Sequence, residues 1–166
     1  ITSKATPLIL DLARCVGSND RKSELENALL CFNLERGKLT WWKPSLLQGL
    51  AEGLPKSGGK LGVKSLAELT GKPPEAYKEA ATEITALLAQ VDKVMTDAAA
   101  PLEQRLAVIP LLAQRKWEQA EPIMHALFAD GQPPEIGTAS LAVLRKFPSD
   151  KTATLLYELL PKAGPA

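Results

Sequence analysis

One histidine and two cysteines are all that this 166-residue sequence offers toward metal binding or thiol chemistry. A zinc site needs three or four ligating side chains at close spacing. His125 stands between Met124 and Ala126 with no cysteine, aspartate or second histidine at ligand distance, and reads as a surface or rim residue. Cys15 and Cys31 fall at different heights of a helical hairpin that turns near Ser18, Asn19 and Asp20. A disulfide needs Cα atoms within about 7 Å, so both read as small buried apolar side chains. No Ser-His-Asp, Cys-His or paired-carboxylate set can be assembled, and acyl-transfer chemistry lacks its parts. The expectation is a chain with no catalytic residues, no metal and no cofactor.

Charge of one sign is lacking too. Lys and Arg total 20 against 19 Asp and Glu, which argues against a polyanionic partner for the molecule as a whole. No stretch approaches the roughly 20 apolar residues that span a bilayer, so no membrane insertion is expected. Aromatics make up 5% and β-branched runs are missing, which favours helix over sheet in a Leu- and Ala-rich chain. Thirteen prolines and 11 glycines fit a protein with many helix ends. The chain begins Ile-Thr-Ser-Lys without a methionine, and we read it as a piece of a longer protein.

Helical periodicity is what the sequence has in plenty. Pro7 can open a helix with Leu8, Leu12, Cys15 and Val16 on one face, followed by a second helix with Leu25, Ala28, Leu29 and Phe32. After Trp41 and Trp42, a short helix carries Leu47, Leu50, Ala51 and Leu54. Residues 55–62 read as an exposed loop, and Ser65 as the cap of a short helix. A longer helix over 75–96 turns Ala80, Ala81, Ile84, Leu87, Leu88 and Val91 inward. Two further pairs follow, on Leu102, Leu106, Ile109 and Ala113 with Ala120, Ile123, Met124, Leu127 and Phe128, then on Leu141, Leu144 and Phe147 with Leu155, Leu156 and Leu159. Pro110 should bend its helix, because it removes a backbone hydrogen bond and clashes with the preceding turn.

Leu106-Ala107-Val108 returns 35 positions later as Leu141-Ala142-Val143, and Ile123 and Leu127 return as Leu155 and Leu159. Helix pairs repeating at this interval are the mark of a solenoid, where each unit buries its apolar stripe on a neighbour. With Pro110 in a first helix, residues 101–160 resemble HEAT repeats. The fold expected is all-α: a short right-handed α-solenoid of about four antiparallel pairs, 5–36, 43–98, 101–130 and 134–161, the second irregular.

A narrower likeness rests on the run from Ile9 to Gly17, the run from Leu46 to Leu54, and Ala107 to Leu112. These look similar to the helical segment of large haem-binding proteins from planctomycete-type bacteria. Such proteins join a dehydrogenase-like propeller, a HEAT-like segment and a cytochrome c module with a Cys-x-x-Cys-His haem site. This sequence has no Cys-x-x-Cys-His, so neither haem attachment nor dehydrogenase chemistry passes to any residue here. The resemblance implies a spacer, and an extracytoplasmic or periplasmic place for its parent.

One stretch invites a binding role. Residues 36–64 hold Arg36, Lys38, Lys43, Lys56, Lys60 and Lys64 against Glu52 alone, with Trp41 and Trp42 among them. Interleaved aromatic and basic side chains suit a single-stranded nucleic acid or another anion. Trp41, Trp42, Lys43, Lys56, Lys60 and Lys64 are therefore the candidate binding surface. Ser57-Gly58-Gly59-Lys60 lacks the spacing and the strand of a phosphate loop. The reading is a non-catalytic scaffold, spacer or docking module that meets other domains of its parent or another protein. Anion binding through 36–64 is the alternative, and a glycosylase-like helical enzyme a distant third.

Overall fold

The computed structural model describes residues 4–159, with the side chains of Ser149 and Leu159 excepted. Among these residues every regular element is helical and there is no strand. The chain divides into two compact units, Ile1–Val91 and Asp92–Ala166.

In the first unit, α1 (Thr6–Ser18) packs chiefly on α3 (Lys43–Gly53), not on α2 (Lys22–Leu30), the partner the hairpin pattern suggests. Glycine is the cause. Gly49 and Gly53 lie one turn apart on α3, facing Ala13 and Gly17 on α1. A Cβ at Gly49 would stand 2.6 Å from the Ala13 Cβ, and one at Gly53 would stand 2.9 Å from the Gly17 Cα. Two glycines inside a helix cost roughly 1 kcal/mol each relative to alanine. Here they let two backbones touch, and the gain is close contact along both helices. Arg14 closes the same crossing, its Nε and Nη2 donating to Glu52 Oε2 at 2.9 and 2.7 Å.

This contact overturns the expected face of α1. Ala13 and Gly17 are its buried residues, while Leu8, Leu12 and Cys15 are exposed and Val16 is half-buried. The other expected stripes of this unit face the core. Leu25, Leu29 and Phe32 are buried, as are Leu47, Leu50, Ala51 and Leu54. Residues 55–62 are not a simple exposed loop. A 3-10 turn continues to Ser57, and Ser57 and Leu61 are buried. Ser65 caps α4 (Leu66–Gly71), its Oγ accepting from the Glu68 N–H at 3.2 Å, while Glu68 Oε2 accepts from the Lys64 N–H at 2.7 Å. α5 (Lys78–Thr96) then buries Ala80, Ala81, Ile84, Leu87, Leu88 and Val91, as its period predicts.

The second unit holds α6 (Leu102–Val108), α7 (Trp117–Leu127), α8 (Pro134–Leu144) and α9 (Ser149–Leu159). Pro110 does not bend a continuous helix. The α-helix stops at Val108 and the chain tightens into 3-10 turns over Ile109–Gln114. The inward face of this segment is Arg105, Val108, Ile109, Leu111 and Leu112; of the expected stripe Ile109 is buried, while Leu102, Leu106 and Ala113 are only half-buried. On α8 the buried face is Ile136, Ser140, Val143 and Leu144, leaving Leu141 exposed. Leu155 is buried and Leu156 exposed; the Leu159 side chain and residues 160–161 of the last expected unit lie outside the described residues. Ala120, Met124 and Leu127 are buried as expected, and Trp117 meets Phe147 edge to face at 5.3 Å between centroids.

Candidate functional site

Between the 3-10 turn Cys31–Asn33 and α3, the chain forms a largely exposed loop, residues 34–42, held by several polar contacts. Glu35 adopts a left-handed backbone, φ +50°, and Gly37 follows at φ +70°. A left-handed residue other than glycine costs on the order of 1–2 kcal/mol. The loop sustains it through its own bonds: the Lys38 N–H donates to the Glu35 carbonyl at 3.1 Å, and the Thr40 N–H to the Lys38 carbonyl at 3.1 Å.

Lys43 completes the arrangement from the first turn of α3. It is only 2% exposed, and its Nζ donates to the Glu35 carbonyl at 2.8 Å and the Lys38 carbonyl at 3.0 Å. The same ammonium lies 5.7 Å from the Trp42 ring centroid, within cation–π reach. A buried ammonium is tolerated only where acceptors replace its water, and two loop carbonyls do so here. From α5, Gln90 Nε2 donates to the Gly37 carbonyl at 3.0 Å, Glu83 accepts from the Gly37 N–H at 3.4 Å, and Glu79 pairs with Arg36. Beneath the loop, Phe32, Lys43, Glu83, Leu87 and Gln90 line a shallow cleft of about 10 Å³, room for about one water molecule. That is below the roughly 300–1,000 Å³ of a usual small-molecule site.

What the loop presents is Trp41, 46% exposed. Trp42 is half-buried against Lys43. Lys43 itself must be withdrawn from the candidate binding surface, because its charge is consumed inside the fold. Lys56, Lys60 and Lys64 are exposed, but they follow the far end of α3. Eleven helical residues span about 16 Å, so the tryptophans and these lysines sit at opposite ends of one helix. Lys60 lies 3.6 Å from Asp20, and the Lys64 stem covers Gly59. The six residues that the sequence groups are thus not brought to one tight patch.

His125 is half-buried, its Nε2 3.6 Å from Glu158. Cys15 and Cys31 are free thiols, and neither is buried as expected: Cys15 is exposed and Cys31 half-buried. Among the described residues no three His, Cys, Asp or Glu side chains are placed to hold a metal ion, and no helix is long and apolar enough to cross a membrane. Ser57, at the start of the glycine-rich run, turns its hydroxyl onto the Leu54 carbonyl at 2.8 Å.

Sequence reasoning missed Arg105. It is buried, Nε donating to the Met95 carbonyl at 3.1 Å and Nη2 to Gln132 Oε1 at 2.7 Å. The Met95 carbonyl belongs to the last turn of α5, where a cation complements the helix dipole. Tyr77 was missed as well; its hydroxyl donates to the Leu61 carbonyl at 3.1 Å, and burial raises its pKa, helped by Glu26. Neither residue breaks the local pattern, so neither gives a signal in the sequence alone.

Comparison with protein-family models, with curated proteins and with solved structures finds no match to this chain.

Proposed function

We propose that the chain is a non-catalytic helical-repeat docking module, whose contact point for another protein or domain is the pinned loop 34–42 with Trp41 at its surface. The observation that carries this reading is the effort spent on an exposed loop. A left-handed Glu35, a sequestered Lys43 and three polar side chains of α5 hold it in one conformation. A loop fixed before binding loses less entropy when a partner arrives, and tryptophan is the residue type most often decisive at such contacts.

The repeat part of the proposal concerns residues 101–161. Arg105, Val108, Ile109 and Leu112 are inward on the first stretch, and Ser140, Val143 and Leu144, 35 positions on, are inward on the second. α8 packs on α7 and on the segment Ile109–Gln114, as stacked hairpins of a solenoid would. Recognition of an anion by 36–64 has less behind it, since Lys43 is buried and Arg36 is paired.

A photo-crosslinking amino acid at Trp41 tests the reading in cells of the source organism. The expected product is a discrete protein adduct that the same probe at exposed Ala67 does not form. Adducts to nucleic acid, or equal labelling from both positions, would overturn it.

A further inference from the structure

We propose that α1 is a releasable strap: it lifts off α3 as one piece while the rest of the first compact unit stays folded, and the Arg14–Glu52 pair is its catch. The first observation is how little α1 buries. Ala13 and Gly17 are its buried residues; Ile9, Leu10 and Val16 are half-buried, and Leu8 and Leu12 are exposed. The large side chains of the interior come from elsewhere, from Leu25, Leu29 and Phe32, from Leu47, Leu50 and Leu54, and from Leu69 and Ile84. Stability gained by burial scales with the apolar area removed from water. α1 contributes little of it, and can leave without pulling a large side chain out of that interior.

α3 presents two faces. Leu47, Leu50 and Leu54, three and four residues apart, turn to the core, while Gly49 and Gly53 lie roughly a third of a turn away, against α1. There Gly49 faces the Leu10 carbonyl and Ala13, and Gly53 faces the Arg14 carbonyl and Gly17. Contact between backbones rests on dispersion, much of which is lost once the surfaces part by about 1 Å. The crossing therefore holds as a whole or lets go as a whole.

Orientation adds a term that pushes the helices apart. Leu10, Ala13 and Arg14 meet Gly49, and Gly17 meets Gly53 and Leu54, so α1 and α3 run in the same direction. Parallel helices set like ends of their dipoles side by side, with about half a negative charge at each C-terminus. Neither helix has a basic residue in its last turn to offset this. The attraction that answers it is Arg14, whose Nε and Nη2 both donate to Glu52 Oε2 while Nη1 donates to Asp11 Oδ1 at 2.6 Å. From within α3, Gln48 Nε2 donates to the other Glu52 oxygen at 3.0 Å. The pair is only partly covered, the Arg14 side chain 35% exposed and that of Glu52 20%. Water and competing anions therefore reach the catch.

Hydrogen exchange read by mass spectrometry on the whole chain tests the strap. In wild type, the amides of residues 6–18 should exchange at least about tenfold faster than those of residues 80–91, because lifting α1 breaks fewer contacts than opening the core. Both segments are helical, so helicity alone predicts no such difference. Glu52→Gln keeps the volume and removes the charge; it should speed exchange of residues 6–18 by roughly threefold or more, and leave residues 80–91 unchanged. Asp11→Asn, which removes the partner of Arg14 on α1 itself, should change neither segment by more than about twofold. Equal protection of the two segments in wild type would overturn the proposal, since α1 would then open only with the whole unit. So would a Glu52→Gln variant that accelerates both segments alike, or neither. The wild-type comparison decides the matter even if a variant fails to fold.

Discussion

At the scale of single residues, the charged groups that look chemical in the sequence are the ones holding backbone in place. Lys43 is the sharpest case. Replacing it by methionine keeps the volume but strands two loop carbonyls, and charge-assisted hydrogen bonds of this kind are worth about 1.5–3 kcal/mol. Lys43→Met should therefore destabilise the protein by about 2–3 kcal/mol. The amides of residues 34–40 should exchange faster by mass spectrometry, and a variant with wild-type loop protection would count against the clamp. Tyr77 makes a different prediction. Burial raises its pKa above the ordinary value of 10.0. The unfolded chain then ionises first as pH rises, so Tyr77 contributes stability that is whole below about pH 10 and declines through the folded pKa. Tyr77→Phe removes the bond to the Leu61 carbonyl, at a cost of about 1 kcal/mol near neutrality, and should flatten the alkaline fall in Tm. An equally steep fall in the variant would show that other groups cause it.

At the scale of elements, the α1–α3 crossing depends on two missing side chains. Gly49→Ala would gain helix propensity worth about 1 kcal/mol in an open helix. In this one its Cβ meets the Leu10 carbonyl and the Ala13 Cβ, neither of which is a flexible tip that can swing away. The helices must part, and overpacking of this kind costs about 1–3 kcal/mol beyond the propensity gain. A net loss in urea denaturation is expected, and a net gain would mean the crossing is looser than described. The same crossing shows what a sequence can and cannot disclose. The helices themselves were legible, because leucine and alanine at spacing 3–4 mark a helix whatever it packs on; α5 buries the residues its period picks out, and α7 buries Ala120, Met124 and Leu127 while Ile123 and Phe128 stay half-buried. The partner of α1 was not legible. Small residues carry almost no hydrophobic signal, so the Ala13/Gly17 face looked weaker than the leucine stripe that in fact meets solvent. The inward face of α6 is hard to read for a related reason. An arginine reads as polar and outward, yet the Arg105 guanidinium finds acceptors inside, and the inward face widens to include it. The basic stretch 36–64 misled in the opposite sense: chain proximity grouped six residues that a helix of about 16 Å separates.

At the scale of the whole molecule, the two compact units each have a core of their own. Leu25, Leu47, Leu50, Leu69 and Ile84 belong to the first, and Ile109, Leu112, Met124, Leu127 and Ile136 to the second. Units that bury separate cores can lose their structure separately, because the free energy of opening follows the contacts broken within each. Leu127 is fully buried on α7, whereas Leu106 is half-buried on α6. A carboxylate at 127 would be charged where no water or partner reaches it, costing about 4 kcal/mol or more. That is a large share of the roughly 5–15 kcal/mol that holds a domain. Leu127→Asp should thus strip hydrogen-exchange protection from residues 92–159 while helices α1 to α4 keep theirs. Leu106→Asp should cost about 1–2 kcal/mol and leave both units folded. If Leu127→Asp instead removes protection along the entire chain at once, the two cores stand or fall as one. A repeat array propagates order through neighbouring contacts, and full coupling would then mean that α5, which runs from one unit into the other, transmits the damage.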